Sequence, residues 1–188
     1  PDAAPWDTEH PNLYRCIAEL LDAEGQVLHS RETTFGFRTA VFRADGFYLN
    51  GKKTFLRGLN RHQSYPYIGY AAPESLQRQD ARILKNELHC NAVRTSHYPQ
   101  SQYFLDECDR LGLLVFTELP GWQHIGDGAW KDRACAMLRE MLLQNRNHPS
   151  IILWGVRINE SVDDDEFYTR TNKIAHALDP SRATSGVR

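Results

Sequence analysis

Residues 151–161 read Ile-Ile-Leu-Trp-Gly-Val-Arg-Ile-Asn-Glu-Ser, and this stretch decides how the rest of the sequence is interpreted. Its apolar, β-branched start is typical of a strand buried on both faces, as in parallel sheets. An amide and a carboxylate, Asn159 and Glu160, follow at the point where barrels of alternating strands and helices place their chemistry. We interpret Glu160 as a catalytic carboxyl group and Asn159 as a neighbour that orients the substrate. The alternative is that Ser161 and the acidic residues after it only cap a following helix.

The overall composition is that of a globular chain with no sign of a nucleic acid or membrane partner. Its 188 residues suffice for one or two domains, and 22 basic against 24 acidic residues give a net charge of −2. No apolar run reaches the roughly 18 residues of a transmembrane helix. No signal peptide is visible, so the compartment, cytoplasm or periplasm, stays open. The chain starts at Pro1 rather than at a methionine, and we expect it to be a piece of a longer protein.

The cysteines do not have the spacing of a metal site. No pair follows a CxxC or CxxH pattern, so we expect free thiols that are buried or half-buried, and no zinc. The four are Cys16, Cys90, Cys108 and Cys135.

Two different patterns meet near residue 40. Residues 13–21 and 26–37 alternate as β-strands do. So few strands cannot form an independent sandwich, and residues 1–40 are therefore predicted to be the C-terminal strands of a β-sandwich domain. A hairpin at Asn50-Gly51 opens the second part of the chain.

From residue 54 onward, strand patterns alternate with helix patterns. Leu76, Ile83, Leu84 and Leu88, for example, share one helical face between two strands. Strict alternation is typical of a parallel sheet with right-handed crossovers. The predicted fold class is α/β, with residues 41–188 forming the incomplete first half of a (β/α)8 TIM barrel. The predicted strands are 54–59, 92–95, 113–117, 151–156 and a fifth that begins within 183–187.

Polar side chains follow these strands, and in a barrel the strand ends share one rim. Glycosidase chemistry needs one protonated carboxyl group beside an ionised one, and Glu118 is the other strand-end carboxylate besides Glu160. Glu118 could equally be a structural partner of an arginine such as Arg94. Arg94 in turn could clamp a carboxylate in the site or only stabilise the barrel. His62 and His97 could donate hydrogen bonds to hydroxyl groups or be satisfied structural groups.

Four further features have a structural interpretation beside the functional one. Trp122, on a loop after the third strand, is the best candidate for stacking on a sugar, whereas Trp154 is expected in the core. His148 precedes the fourth strand, where residues serve stability. The acidic run 163–166 could suggest a cation site, but its place at a helix N-terminus explains it.

Six short motifs occur in a fixed order. They are Phe-Gly-Phe-Arg at 35–38, Leu-Asn-Gly-Lys at 49–52, Leu-Arg-Gly-Leu-Asn-Arg-His at 56–62, Asn-Ala-Val-Arg-Thr-Ser-His-Tyr-Pro at 91–99, Asn-His-Pro-Ser at 147–150 and Asn-Glu-Ser at 159–161. Together they cover nearly the whole chain and resemble glycoside hydrolase family 2, the β-galactosidase and β-glucuronidase family.

The resemblance implies a fold, a reaction and a set of residue roles. The fold is an immunoglobulin-like sandwich ending near residue 40, followed by a TIM barrel. The reaction is retaining hydrolysis of terminal β-D-glycosides through a covalent intermediate, with Glu160 as acid/base. Asn159 would bond the 2-hydroxyl of the sugar, Arg94 would lie near the nucleophile, and His97 and His62 would line the sugar pocket.

Two departures from the family pattern limit what the resemblance implies. The family nucleophile is a glutamate that would lie beyond residue 188, so we expect the isolated chain to be inactive. The magnesium-dependent members place an acid where Trp122 stands here, although His124 could match their histidine. We therefore predict no metal and no cofactor, with magnesium left open.

Specificity and partners are less determined. The segment 155–158 differs from the commoner Ser-x-Gly before Asn-Glu, which leaves the sugar open. We expect a β-galactosidase-like enzyme; the alternatives are a β-glucuronidase or β-mannosidase type, or a non-catalytic carbohydrate-binding module. The expected partner is a β-linked carbohydrate, and a homo-oligomer is left open.

Overall fold

The computed structural model of the chain describes residues 2–188 and contains ten strands and four α-helices. The strands are β1 Tyr14–Leu21, β2 Val27–Phe35, β3 Ala40–Arg43, β4 Gly46–Leu49, β5 Lys52–Lys53, β6 Gly58–Arg61, β7 Ala92–Thr95, β8 Leu114–Glu118, β9 Ile151–Gly155 and β10 Ala183–Ser185. The helices are α1 Glu74–Arg82, which continues into a π-helical turn Ile83–Glu87, α2 Gln102–Leu111, α3 Gly128–Asn145 and α4 Asp165–Leu178.

Five parallel strands form the sheet that carries the candidate site. They lie side by side in the order β6, β7, β8, β9 and β10, which is their order in the chain, and a helix follows each of the first four. Strands β8 and β9 are buried along almost their whole length, as parallel strands covered on both faces are. The chain thus has the architecture of the first half of a (β/α)8 barrel, as the alternation predicts.

The main apolar core lies between this sheet and the helices. Phe104 of α2, Leu138 of α3 and Val115 and Trp154 of the sheet are all fully buried. A fully buried large apolar side chain contributes roughly 1.5–3 kcal/mol. The indole N–H of Trp154 donates to Oδ2 of Asp179 at 2.9 Å, which satisfies its one polar group. Trp154 is a core residue, as predicted.

Helix termini are set by local sequence. The carboxylates of Asp127 and Asp164 accept hydrogen bonds from the backbone N–H groups of Trp130 and Phe167, at the first turns of α3 and α4. Asp164 of the acidic run 163–166 thus caps α4, in agreement with the structural interpretation of that run. Helix α2 ends at Gly112, whose φ of 68° belongs to the left-handed region that glycine adopts without strain.

A second, smaller core closes the N-terminal end of the strands. Trp6 is fully buried there, and the cluster includes Phe47 of the antiparallel sheet β3–β4–β5 and Leu114 and Ile152, near the starts of β8 and β9. Trp6 donates through its indole N–H to the carbonyl of Asp109 at 2.8 Å. This core holds the residues before β1 and the hairpin sheet against the barrel strands.

The hairpin β1–β2 is an antiparallel ladder that leaves apolar side chains in solvent. Leu20 and Leu28 are 62% and 64% exposed. A two-stranded ladder buries too little by itself to be stable. The division into domains at 1–40 and 41–188 stays a prediction.

Two predicted elements differ from the structure. The first barrel strand lies at Gly58–Arg61 rather than at 54–59, and Phe55, before it, is 78% exposed. Leu88 is 53% exposed instead of facing the core, because the π-helical turn changes the phase of the face it was assigned to. Within residues 2–188, no helix is long and apolar enough to cross a membrane.

The remaining structural predictions concern buried polar and thiol groups. His148 is buried, and its Nδ1 lies 2.6 Å from Oδ2 of Asp109, so it has a structural partner as expected. All four cysteines are free thiols, but the expectation that all are buried or half-buried is wrong for Cys16, which is exposed on β1.

Candidate active site

Arg94 is the centre of the polar cluster at the strand ends. It is the penultimate residue of β7, and its Nε and Nη2 donate to the two carboxylate oxygens of Glu118, at the end of β8, over 2.8 and 3.0 Å. Nη2 also donates to Oδ1 of Asn159 at 2.6 Å. One guanidinium therefore joins residues that follow three adjacent strands.

Glu118 is committed to this ion pair. Its side chain is 2% exposed, and burial raises its pKa while the Arg94 guanidinium acts in the opposite direction. A paired arrangement of two parallel N–H···O bonds gives strong directional bonding. Of the two interpretations of Glu118, the geometry agrees with the structural partner of Arg94.

His97 also lies within hydrogen-bond distance of Arg94. Nη2 of Arg94 lies 3.2 Å from Nδ1 of His97, beside its shorter bonds to Glu118 and Asn159. A guanidinium only donates, so this contact suits a neutral ring with Nδ1 as acceptor and its proton on Nε2. Burial, Arg94 and His62 all lower the pKa of His97, which favours that neutral form. The His97 and His62 rings are 5.2 Å apart, so the two histidines lie together as predicted. The Ser96–His97 peptide bond is cis.

Asn159 is held in one orientation. It is 1% exposed, and since Oδ1 accepts from Arg94, the amide nitrogen Nδ2 is the remaining donor. Nδ2 has no hydrogen-bond partner among the described residues. A buried donor without a partner costs about 1–3 kcal/mol, so this amide is poised to donate to a ligand.

Glu160 follows in a backbone conformation that only a constrained segment adopts. Its φ of 54° is in the left-handed region, and its N–H donates to the carbonyl of Val187 at 3.1 Å. Such a non-glycine residue costs of order 1–3 kcal/mol, a cost often found at functional sites. The side chain is exposed.

Two N–H donors meet the same oxygen of Glu160. The Trp122 indole donates to Oε2 at 2.8 Å and the Gln123 amide at 3.3 Å. The bond from Trp122, followed by that from Gln123, lowers the pKa of Glu160. A general acid needs the opposite shift, so these two contacts by themselves do not prepare Glu160 for that role.

Two residues that contact the candidate site or its neighbours, Gln123 and Arg61, were not singled out by the sequence patterns. Arg61 is buried between Asp80 and Gln77, with Nε to Oδ2 of Asp80 at 2.8 Å and Nη2 to Oε1 of Gln77 at 2.8 Å. It anchors the backbone directly before His62. Its place inside a strand, next to a predicted site residue, was the available signal.

Neither Trp122 nor His124 is placed as a magnesium ligand beside Glu160. An indole N–H can donate to Glu160 but cannot ligate a cation, and His124 packs edge-on against Trp130 with ring centroids 5.9 Å apart. Among the described residues, one group of His, Cys, Asp and Glu has ligand atoms close enough to share an ion, namely Asp106, Asp109 and His148. That group lies outside the cluster around Arg94, and Asp109 is already bonded to His148.

Sequence comparisons identify the family. The family model described as "Glycosyl hydrolases family 2, TIM barrel domain" matches residues 41–187, and the model described as "Glycosyl hydrolases family 2" matches residues 1–38. A β-galactosidase of Thermoanaerobacterium thermosulfurigenes is 61% identical over 187 residues, which cover 100% of this chain and 26% of that protein. The chain thus spans about a quarter of the length of this curated relative.

Solved structures of similar sequence have the same fold. An apo β-glucuronidase 3 of Bacteroides uniformis superposes with a TM-score of 0.87 and 38% identity, over 96% of this chain and 24% of that one. A β-galacturonidase of Eisenbergiella tayi, bound to galacturonate, gives a TM-score of 0.86 and 33% identity, over 98% of this chain and 34% of that one. The motifs, the half barrel and these matches agree, and the chain belongs to glycosyl hydrolase family 2.

Proposed function

We propose that the full-length protein is a retaining β-glycosidase of the β-galactosidase type, with Glu160 as its acid/base. The observation that carries the proposal is the pair at the end of β9. Asn159 is oriented by Arg94 through its Oδ1, and Glu160 beside it presents an exposed carboxyl group on the same rim. This is where barrels of this kind place catalytic groups.

In the proposed reaction, Glu160 protonates the glycosidic oxygen as the bond to the leaving group breaks. A second carboxylate attacks the anomeric carbon, and Glu160 then removes a proton from the water that releases the sugar. Glu118 is a poor candidate for the attacking group, because it is 2% exposed and bonded to Arg94 through both oxygens. We assign the nucleophile to a residue outside this chain.

Three donors on the rim suit a polyhydroxylated ligand. They are Nδ2 of Asn159, Nε2–H of the neutral His97 and the ring of His62 beside it. Exposed Trp122 adds an aromatic surface next to them. Hydrogen-bond donors beside an aromatic ring suit sugar hydroxyls, which supports a carbohydrate substrate.

The sugar is proposed to be galactose rather than a uronic acid. The relative named β-galactosidase is 61% identical, against 38% and 33% for the uronidase structures. Nε and Nη2 of Arg94 are already bonded to Glu118 and Asn159, which leaves this guanidinium poorly placed to bind a uronate carboxylate. The rates at which the full-length protein hydrolyses β-galactosides, β-glucuronides and β-mannosides distinguish the three types of enzyme.

No magnesium step is part of the proposal. Trp122 donates to Oε2 of Glu160, and an indole N–H is not a metal ligand.

The test replaces Glu160 by alanine in the full-length protein. General acid catalysis contributes roughly 10²–10⁴-fold, and a good leaving group needs the proton less. We expect a large loss with poorly activated aryl β-galactosides, a small loss with activated ones, and partial recovery with added azide. Glu166→Ala, an exposed acid in the first turn of α4, is the matched control and should behave like the unmodified protein.

Two results would contradict the assignment. Equal loss for all leaving groups without azide recovery means that Glu160 is not the acid. Tight sugar binding with no turnover in the unmodified full-length protein favours the carbohydrate-binding module.

A further inference from the structure

The loop after β8 holds the carboxyl group of Glu160. We propose that Trp122 is a positioning residue for Glu160, and that it makes Oε1 the oxygen that carries the transferable proton. The inference rests on the proposed function, because it needs Glu160 to act as the acid. It assigns Trp122 a role different from that of a stacking platform for the sugar.

Backbone pairing fixes this loop beyond the ends of the strands. Trp122 and Asn159 form a parallel bridge, and the N–H of Gln123 donates to the carbonyl of Asn159 at 2.8 Å. The N–H of Gly121 donates to the carbonyl of His97 at 3.1 Å. The segment carrying Trp122 is therefore tied on one side to the segment carrying Glu160 and on the other to His97.

Two backbone positions let the loop make this approach. Gly121 has a φ of 149°, which strains any L side chain, and a Cβ there would also lie 2.8 Å from Cδ1 of Ile158, so the position favours glycine. Gln123 has a φ of 59°, again in the left-handed region. Strain of this kind persists only where surrounding contacts hold it. The pairing with Asn159 supplies such contacts.

Donor chemistry then decides between the two oxygens of Glu160. An indole N–H only donates, and the Trp122 bond of 2.8 Å ends on Oε2, as does the 3.3 Å bond from Gln123. In a neutral carboxylic acid, the oxygen that carries the proton is itself a donor, so it is a poor partner for two N–H groups. The proton of the neutral acid is therefore on Oε1, and Oε1 faces the leaving group when it is transferred.

The ring of Trp122 is exposed enough to act instead as a stacking platform for a sugar. Its side chain is 61% exposed, and its plane lies within 13° of that of His97 at a centroid distance of 6.4 Å. A stacking platform would depend on the ring face, whereas a positioning residue depends on the N–H. Phenylalanine keeps the face and removes the N–H, so Trp122→Phe separates the two roles.

The expected effects of Trp122→Phe follow from the lost bond. A donor to a carboxylate favours its ionised form, so its removal raises the pKa of Glu160 and moves the alkaline limb of the kcat/KM profile to higher pH. Without the bond from Trp122, the carboxyl group of Glu160 is also displaced from its position, and a displacement of about 1 Å costs on the order of 10²-fold in rate. That loss should fall on kcat for poor leaving groups, with KM nearly unchanged. Trp130→Phe, the same change in α3, should leave both quantities at the unmodified level.

A direct measurement on the full-length protein tests the contact itself. With 15N-labelled tryptophan indoles, the resonance assigned to Trp122 by its loss in Trp122→Phe should titrate with pH and become invariant in Glu160→Gln. This measurement also decides the matter if Trp122→Phe lowers stability, because an indole resonance that titrates in the unmodified protein and stops titrating in Glu160→Gln identifies the contact without a change at Trp122.

Each outcome supports or overturns the inference. A shifted alkaline limb, a kcat loss for poor leaving groups and a titrating indole support it. If Trp122→Phe raises KM and leaves the pH profile unchanged, the inference is wrong and Trp122 acts as a stacking platform. If the indole resonance does not change in Glu160→Gln, the hydrogen bond between Trp122 and Glu160 does not form. If Glu160→Ala shows no dependence on the leaving group, the proposed function fails instead, and an indole that still titrates identifies Trp122 as a partner of a non-catalytic carboxylate.

Discussion

Arg94 and Glu118 are joined by two parallel hydrogen bonds, 2.8 and 3.0 Å long, across the ends of β7 and β8. Glu118 is almost completely buried and Arg94 is 15% exposed. The same guanidinium orients Asn159, which has no other side-chain bond among the described residues. A structural ion pair and a candidate substrate contact therefore depend on one arginine.

Arg94→Ala should lower stability more than removal of an exposed arginine. Loss of one partner of a buried pair leaves an uncompensated charge and costs about 3–5 kcal/mol. The control is Arg170→Ala, which breaks an exposed pair with Asp132 at 2.6 Å, an interaction of the kind worth about 0–1 kcal/mol. Denaturant unfolding of the full-length protein measures both. Equal losses would mean that the Arg94–Glu118 pair contributes little.

A companion variant separates the buried charge from the lost contact. Glu118→Gln removes the negative charge and keeps an acceptor for Arg94, so the loss should be smaller than in Arg94→Ala. If Glu118→Gln is the more damaging change, the arginine rather than the glutamate is the group that needs its partner.

The alternation of patterns was sufficient to predict the half barrel. Apolar runs such as 151–156 and the spacing of Leu138 and Met141 report burial, and burial determines which faces meet. The exact start of the first strand was not predictable, because Thr54 and Phe55 have strand propensity but lie before the ladder with β7 begins. Pairing with β7 rather than propensity sets that boundary.

The composition of the rim could be predicted, but not its bonding. Strand-end positions bring Arg94, His97, Glu118, Asn159 and Glu160 together in any parallel barrel. The partner of each depends on side-chain direction and on loop backbone, and neither follows a periodicity. Trp122 illustrates the difference: its place on the rim was predicted, whereas its bond to Glu160 depends on the bridge that its backbone makes to Asn159.

Gly58→Ala tests the close approach of the first two barrel strands. A Cβ at Gly58 would lie 2.1 Å from the carbonyl oxygen of Ala92, which is backbone and cannot move aside. We expect a loss of about 1–3 kcal/mol or more, the usual range for overpacking. Gly128→Ala is the matched control, since a Cβ there meets nothing within 4 Å at the start of α3. It should be neutral or stabilising by up to about 1 kcal/mol, because alanine is the better helix former. The midpoints of denaturant unfolding measure the stability of both variants. Similar midpoints for the two would contradict the predicted clash.

Acid should destabilise the protein through Glu107, a buried carboxylate on α2. Burial acts to raise the pKa of Glu107, but hydrogen bonds from Arg110 and Arg82 outweigh it, and the pKa falls from its ordinary 4.5 to about 2. Because the folded value lies below the unfolded one, the stabilisation is complete above pH 4.5 and is lost as the pH falls toward 2. Glu107→Gln removes this group, so the variant should be less stable than the unmodified protein near neutral pH.

The same argument predicts how the difference in stability between Glu107→Gln and the unmodified protein changes with pH. The difference in unfolding free energy between Glu107→Gln and the unmodified protein should shrink between pH 4.5 and pH 2, since protonation makes the two side chains alike in charge. Glu140→Gln, an exposed change on α3, should show no such narrowing. Denaturant titrations at a series of pH values measure the gap. A gap that stays constant down to pH 2 would mean that the three arginines around Glu107, Arg78, Arg82 and Arg110, do not hold its charge in the folded state.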